Sequence, residues 1–522
     1  MTHTVVIPTA GIGSRLGKLT KFLNKSLISV SNKPSISHII EKFPKETDFI
    51  IPVGYKSNLV REFLELAHPD LRFQFIEVSP FSGEGSGLGL SLLSCKQYLQ
   101  KPFIFISCDS LVREEIPLID KDWMGFGKAE KVDQFRKVYI DKSIVLDICE
   151  KNIEATKNHY PYVGIAGIHS YEEFWSNMDK GGNEAIEVGE SFGLKGLLPK
   201  KIEAIEFSWN DTGSLDGLEK ANKEYYDKDS PNILKKENET IWFVNNKVIK
   251  FSDDINFIKN RILRAEKIKE FIPKIVNSKR NMYSYEKVEG LTLSKAVTKK
   301  VFKDFLKFSE RFFEKISLSN EELKSFRNSC NEFYKIKTFQ RVDLFLSSFQ
   351  EKDLSQVING QNIPKVKDLL DNLDWNYLSE GEPSRFHGDY HFENVIWSKD
   401  SNKFTLLDWR QEFAGSIEIG DVYYDLAKLL HGLIISHEII DKGYYEIKWD
   451  DNKVDFDFLR NQKLILCERL FYDWLDENGY DGKKVKILTS LIFLNIAALH
   501  HNPYSHLLFA LGKMMLNDEI NG

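Results

Sequence analysis

At 522 residues the chain is too long for one ordinary hydrophobic core and predicts two to four domains. Its 42% hydrophobic, 28% charged and 13% aromatic residues are those of a soluble globular protein, and a net charge of -6 leaves no broad basic field for nucleic acid. The cysteines (Cys95, Cys108, Cys149, Cys330, Cys467) are odd in number and form no C-x-x-C, which argues against a disulfide framework or zinc site and fits a reducing, cytoplasmic setting.

The chain enters a strand-like run at Thr4-Val5-Val6-Ile7 without the segments of a secretion signal. Over the first ~225 residues strand-like and helix-like segments alternate. Strands are expected at 5–8, 49–53, 73–78 and 103–107. A helix is expected over Ser57–Ala67, where Leu59, Val60, Phe63, Leu64 and Ala67 share a face and Ser57 can cap the N-terminus. Such alternation predicts an α/β domain with a mostly parallel sheet flanked by helices. A polar stretch, 225–239, reads as a linker. Two short strands, 240–244 and 247–251, follow around Asn245-Asn246 and predict a hairpin. A helix is expected over 256–271, and helical patterns dominate from 300 onward. The longest apolar run, 487–499, is interrupted by Thr489, Ser490 and Asn495. It is too short to span a bilayer and predicts a buried helix, without membrane insertion.

Two segments carry chemistry. In the first, Ala10-Gly11-Ile12-Gly13-Ser14-Arg15-Leu16 follows the first strand, and Asn24-Lys25-Ser26 follows closely. Glycines let main-chain N–H groups approach phosphate oxygens, and Arg15 and Lys25 can neutralise triphosphate charge. Ligands of such sheets bind at the carboxyl ends of strands, where Asp109 also falls. Asp109 and Asp211, the latter in Trp209-Asn210-Asp211-Thr212-Gly213, could together hold Mg2+.

Residues 3–225 resemble the sugar-phosphate nucleotidylyltransferases. Besides the glycine-rich loop, Lys25, Asp109 and the Asp211 segment, the matching pieces are Lys33-Pro34, Gly85-Ser86-Gly87, Glu150-Lys151 and Tyr162-Val163-Gly164-Ile165. The family usually has Leu-Ala-Ala-Gly where this chain has Pro8-Thr9-Ala10-Gly11, and proline where it has Asn24. The resemblance implies a Rossmann-like mixed-sheet nucleotidyltransferase domain over 1–228. In it Gly11, Gly13, Ser14, Arg15 and Lys25 would hold the NTP, with Gly85 and Ser86 near the base. Lys151 would contact an acceptor phosphate, and Asp109 and Asp211 would carry Mg2+.

In the second segment, His387-Gly388-Asp389-Tyr390-His391-Phe392-Glu393-Asn394 precedes Leu406-Leu407-Asp408. Asp389 would accept the proton of an attacking hydroxyl, and Asn394 and Asp408 would hold Mg2+ on ATP. The His387/His391 spacing would suit zinc only on a helix, which Gly388 disfavours. Lys250, on a strand, is placed to bind phosphate. Glu266 in the next helix is its expected partner, with Glu270 as a rival, and 285–290 reads as a strand joining two lobes. Residues 235–522 resemble the aminoglycoside phosphotransferase and choline kinase family. The later Gly420-Asp421-Val422-Tyr423-Tyr424-Asp425 also fits, with Asp421 and Asp425 structural. This implies a two-lobed, protein-kinase-like α+β domain with a small lobe at about 235–290 and a helical lobe at about 291–522. Its hairpin lacks the usual glycines.

Together the resemblances imply a bifunctional enzyme that phosphorylates a small alcohol or sugar with ATP. It would then join the ester to a nucleotide, CTP being favoured, to make an activated precursor for cell-surface polysaccharide. The implied partners are Mg2+ and small molecules, with a homo-oligomer allowed. Choline kinase joined to phosphocholine cytidylyltransferase is one precedent. Alternatives are a kinase-like sensor regulating the transferase, or an antibiotic-inactivating kinase.

Overall fold

The computed structural model describes residues 3–129, 132–151, 154–226 and 236–521. Two compact units divide the chain: 1–258 with 276–287, and 259–275 with 288–522.

The first unit is built on nine strands: β1 (Thr4–Val6), β2 (Asp48–Val53), β3 (Arg72–Glu77), β4 (Phe103–Ile106), β5 (Trp123–Phe126), β6 (Lys137–Asp141), β7 (Ile144–Cys149), β8 (His159–Ile168) and β9 (Glu203–Glu206). Their order is β3-β2-β1-β4-β8-β5-β9-β7-β6. The strands β3, β2, β1 and β4 run parallel, and β8 is antiparallel to both its neighbours. The sheet is therefore mixed: the expected parallel strands form one half, and the other half is mainly antiparallel, with β9 parallel to β5. Both faces are covered. Val5, Ile7, Ile51 and Ile106 enter one core, and Val6, Ile50, Phe103 and Phe105 the other. Burial on both faces explains why these strands read as continuous apolar runs.

The helix Ser57–Ala67 has the expected span and buries Leu59, Val60, Phe63, Leu64 and Ala67. Its cap differs from expectation. Ser57 is the first helical residue, and Lys56, in a left-handed turn at φ 52°, occupies the N-cap without a side-chain hydrogen bond. The linker expected at 225–239 falls mainly on 227–235, outside the described residues.

A second, antiparallel sheet comprises β10 (Glu239–Val244), β11 (Lys247–Ser252), β12 (Ile275–Ser278) and β13 (Met282–Glu286), in the order β10-β11-β13-β12. The Asn245-Asn246 hairpin forms as expected, with Val244 opposite Lys247 and Asn245 at φ 54°. This sheet packs into the first unit. Trp242, Ile249, Phe251 and Met282 share a core with Phe63 and Leu64 of the helix Ser57–Ala67. Phe243 N donates to Asn32 O at 2.9 Å, and Asn281 N donates to Glu62 at 3.1 Å.

The second unit is mainly helical. Its long helices include Lys299–Phe312, Asn320–Asn331, Lys337–Phe349, Val422–Ile434, Gln462–Glu477, Gly482–Ala497 and Tyr504–Asn521. The helix Gly482–Ala497 buries most of the apolar run at 487–499. A hairpin of Val395–Ser398 and Lys403–Leu406 pairs Val395 with Leu406. This register sets Asn394, before the first strand, beside Leu407, after the second, and Leu407 N donates to Asn394 O at 2.7 Å. Among the described residues no helix is long and apolar enough to cross a membrane.

Candidate functional site

The loop after β1 runs from Ala10 into a 3-10 segment, Ser14–Thr20. Gly13 sits at φ 73°, which a side chain rarely adopts, and a Cβ there would stand 2.8 Å from Lys25 Cβ. The absent side chain lets Lys25 pack against the loop. Gly11, Ser14 and Arg15 lie at the solvent-exposed rim.

Lys25 Nζ meets Asp109 Oδ2 at 3.0 Å, and Ser107 Oγ donates to Asp109 Oδ1 at 2.5 Å. Asp211 sits on the short strand Trp209–Asp211, which pairs with Ser110–Val112, directly after Asp109. This pairing brings the two carboxylates together. A methyl group on Gly213 would meet Asp109 Oδ2 at 2.7 Å, Arg15 Nη2 at 2.8 Å and Asp211 Oδ1 at 3.0 Å. Arg15 Nη1 lies 3.9 Å from Asp211 Oδ2.

The charges follow from this geometry. Burial alone would raise the Asp109 pKa, but the Lys25 ammonium, the Ser107 hydroxyl and Arg15 hold it at about 2. Burial opposes the charge on Lys25 too, and the Asp109 carboxylate overcomes it and lifts its pKa above the usual lysine value. For Asp211 burial and the neighbouring Asp109 carboxylate raise the pKa. Two hard oxygen donors on one small space fit Mg2+, which takes one or two carboxylates and completes its shell with phosphates and water.

Asn24 anchors the segment that carries Lys25. It is fully buried. Its Nδ2 donates to Thr9 O at 2.9 Å and Tyr55 O at 2.7 Å, and its Oδ1 accepts from Ser26 N at 3.0 Å and Ser26 Oγ at 2.8 Å. These bonds tie the Lys25 backbone to the ends of β1 and β2, a role that an asparagine at a family proline position could have suggested. Gly85, at φ 76°, and Ser86 lie on a loop between β3 and the helix Leu88–Cys95, with Ser86 Oγ donating to Gly83 O at 2.6 Å. Lys151 is exposed in a turn after β7. Its neighbour Glu150 pairs with Arg136 at 3.1 Å.

In the second unit the side chains around Asp389 form a network. Asn394 Nδ2 donates to Asp389 Oδ2 and to Asp389 O, both at 2.9 Å. With its amide nitrogen so used, Asn394 keeps its carbonyl oxygen as a candidate metal donor. Asp408 follows the hairpin at φ 56° and forms an ion pair with Arg261. An amide oxygen and a carboxylate on neighbouring backbone again fit Mg2+. Asp425 accepts from His387 N at 2.5 Å and Gly388 N at 2.7 Å, and Asp421 caps the helix Val422–Ile434 by accepting from Tyr423 N at 3.1 Å. His387 Nε2 bonds Leu407 O at 2.8 Å and its Nδ1 accepts from Asp389 N at 3.2 Å, so both ring nitrogens are engaged and neither is offered to zinc.

The residue that sequence reasoning missed here is Lys428, whose Nζ stands 2.9 Å from Asp389 Oδ1. Burial would raise the Asp389 pKa, but Lys428 and His391 hold it well below the usual carboxylate range. Lys428 lies three residues beyond Asp425, one helical turn on, and that spacing was the available signal. Lys250 is buried on β11. Glu266 is exposed on the helix Ile255–Lys267 and makes no ion pair among the described residues. Glu270 is exposed as well. The buried charges of that helix are Arg261 and Arg264, and Arg264 donates to Phe386 O at 2.5 Å and to Arg410 O.

Residues 322–459 match the family model described as the phosphotransferase enzyme family. The bifunctional protein GlmU of Methanocaldococcus jannaschii is 28% identical over 248 residues, covering 45% of this chain and 57% of that protein. The GlmU of Methanococcus vannielii is 26% identical over 221 residues, covering 40% and 51%. The chain spans about half the length of the curated relatives it matches. Among solved structures, UTP-bound UGPase from Acinetobacter baumannii aligns with a TM-score of 0.36 at 18% identity, over 43% of this chain and 93% of that one. CTP:phosphocholine cytidylyltransferase from Streptococcus pneumoniae aligns with a TM-score of 0.36 at 21% identity, over 43% and 99%. The C-terminal region is thus similar to the phosphotransferase enzyme family over 322–459, and the N-terminal region is similar in sequence to GlmU.

Proposed function

We propose that this protein is a bifunctional, cytoplasmic transferase, with a nucleotidyltransferase over 1–228 and a small-molecule kinase over 235–522. The observation that carries the reading is that each unit holds its own centre of paired charges, Lys25–Asp109 in one and Asp389–Lys428 in the other.

At the kinase centre the acceptor hydroxyl oxygen bonds to the γ-phosphorus of ATP. The bond from that phosphorus to the β,γ-bridging oxygen breaks, ADP leaves with the electron pair, and Asp389 takes the hydroxyl proton. Lys428 keeps Asp389 ionised and ready to accept it. At the first centre an oxygen of the phosphate ester bonds to the α-phosphorus of an NTP, CTP being favoured, and pyrophosphate leaves. Arg15 and Lys25 offset the charge on the triphosphate, Gly11, Gly13 and Ser14 offer main-chain donors, Gly85 and Ser86 border the base, and Lys151 meets the ester. When bound at Asp109 and Asp211, and at Asn394 and Asp408, Mg2+ supplies further neutralisation of phosphate charge. Lys250 is assigned to ATP phosphate, and the product to cell-surface polysaccharide assembly.

The test is mass spectrometry of the purified chain with Mg2+, ATP and each NTP in turn, over pooled alcohols, sugars and their phosphates. An ATP-dependent NDP-linked product from an unphosphorylated acceptor is the expected result. A product only from phosphorylated acceptors would overturn the kinase half. It would favour the sensor reading, to which the Asn245-Asn246 turn without glycine and the engagement of Asp408 by Arg261 lend weight.

A further inference from the structure

Positive charge around Asp389 exceeds what that carboxylate can neutralise. Beyond Lys428 stand Arg410, Lys337 and Arg341; the charges of Arg410, Lys428 and Arg341 all act on Lys337, and so does that of Asp389. Among the described residues none of these three has a carboxylate within 4.0 Å. Two of them rest on ring faces instead. Lys337 Nζ lies 4.2 Å from the centre of the Phe333 ring and 5.8 Å from that of Tyr424. The Arg410 guanidinium carbon lies 5.1 Å from the Phe333 centre, and its Nη1 donates to Tyr424 OH at 3.4 Å.

Such a cluster is unfavourable as it stands, because a partly buried cation needs a counter-ion. Burial, then the Arg410, Lys428 and Arg341 charges, press the Lys337 pKa down to about 6, with only Asp389 pulling the other way. The backbone beneath is also unusual. Glu332–Ile336 is π-helical between the helices Asn320–Asn331 and Lys337–Phe349. Wide turns of this kind recur at functional sites, and this one sets Phe333 and Lys337 side by side. Local rules broken together beside a catalytic group mark a place completed by a ligand.

We propose that the phosphoryl acceptor of the second unit is an anion. It is a small hydroxylated molecule whose carboxylate or phosphate binds among Lys337, Arg410 and Lys428 while its hydroxyl faces Asp389. The inference rests on the kinase reading above and narrows it. A cationic acceptor such as choline would meet like charge here, and the aromatic rings that could have caged it already carry Lys337 and Arg410. The same cations could instead serve an anion from a second source, the γ-phosphate of ATP, and the experiment separates the two.

ADP release is measured for the full chain with ATP and Mg2+ over acceptors matched in skeleton and differing in charge: glucose, gluconate and glucosamine; glycerol, glycerate and glycerol phosphate; choline and ethanolamine. The acidic members are expected to be the substrates. Lys337→Gln and Arg410→Gln should each raise the acceptor KM about tenfold or more and leave the ATP KM within about twofold, with Arg410→Lys partly restoring it. Thermal melting of the same variants followed by circular dichroism reports that the second unit, which holds both residues, is folded. Preference for a neutral or cationic member, or a rise in the ATP KM alone, would overturn the proposal. If no acceptor releases ADP, the kinase reading fails, and calorimetric titration of gluconate without ATP decides the anion site separately. Binding that Arg410→Gln abolishes keeps the site, and no binding, or binding that Arg410→Gln leaves intact, removes it.

Discussion

Truncating Trp242 should cost the first unit about 3–5 kcal/mol, the range for removing a buried aromatic side chain. Trp242 is fully buried, with its ring 5.0 Å from Phe63 at 72° and 6.0 Å from Phe251. Phe63 comes from the helix Ser57–Ala67 of the nine-stranded part and Phe251 from β11, so the indole fills the seam between the two sheets of this unit. Its Nε1 has no hydrogen-bond partner among the described residues, so the loss is one of packing. Trp242→Phe should therefore cost less than Trp242→Ala. Edge-on aromatic contact adds about 0.5–1.5 kcal/mol beyond area burial, which a Trp242→Ala/Phe63→Ala double-mutant cycle would read as coupling. Against a domain stability of about 5–15 kcal/mol the single change is large. Urea unfolding followed by circular dichroism measures the cost. A cost below about 1 kcal/mol, additive with Phe63→Ala, would refute a shared core.

Gly213→Ala should abolish nucleotidyl transfer and spare phosphorylation, because its methyl group would stand within 3.0 Å of Asp109, Arg15 and Asp211 oxygen or nitrogen atoms. Separate assays of the two reactions check this. Asp389→Asn should lower phosphorylation by about 100-fold or more, the usual worth of a positioned base, while transfer to a supplied phosphate ester continues. Asn24→Ala removes four hydrogen bonds around Lys25 and should lower both melting temperature and transfer rate, by about 2 kcal/mol or more in stability. Lys337→Met should raise the melting temperature of the ligand-free protein. The Lys337 pKa is pressed from the ordinary 10.5 to about 6, so between those values the unfolded chain binds the extra proton. The variant's advantage should be full below about pH 6 and fade as pH rises toward 10.5, and melting curves across that window would show the opposite trend if Lys337 were paired.

Much of the local architecture could be read from residue order alone. Apolar runs of strand length gave the parallel half of the first sheet, and helical spacing of Leu59, Val60, Phe63, Leu64 and Ala67 gave a helix of the right span. The sequence marked Asn394 and Asp408 as a pair, and the intervening hairpin supplies the reason, since its register bonds Asn394 to Leu407, the residue before Asp408. These features depend on short-range geometry, in which side-chain alternation and turn preference act within a few residues. What only the tertiary structure decided lies at long range. Asp109 meets Lys25 across 84 positions, and Asp211 is brought beside Asp109 by a two-stranded pairing that its own segment does not announce. The small sheet, expected to stand with the C-terminal region, shares its core with the helix Ser57–Ala67 because apolar faces do not record their partner in their own pattern. Likewise Glu266, chosen by spacing, is left in solvent while Arg261 and Arg264 of the same helix are buried. The cations near Asp389 come from three separate segments, and their excess charge exists only once folding has gathered them out of water, where it can no longer be screened.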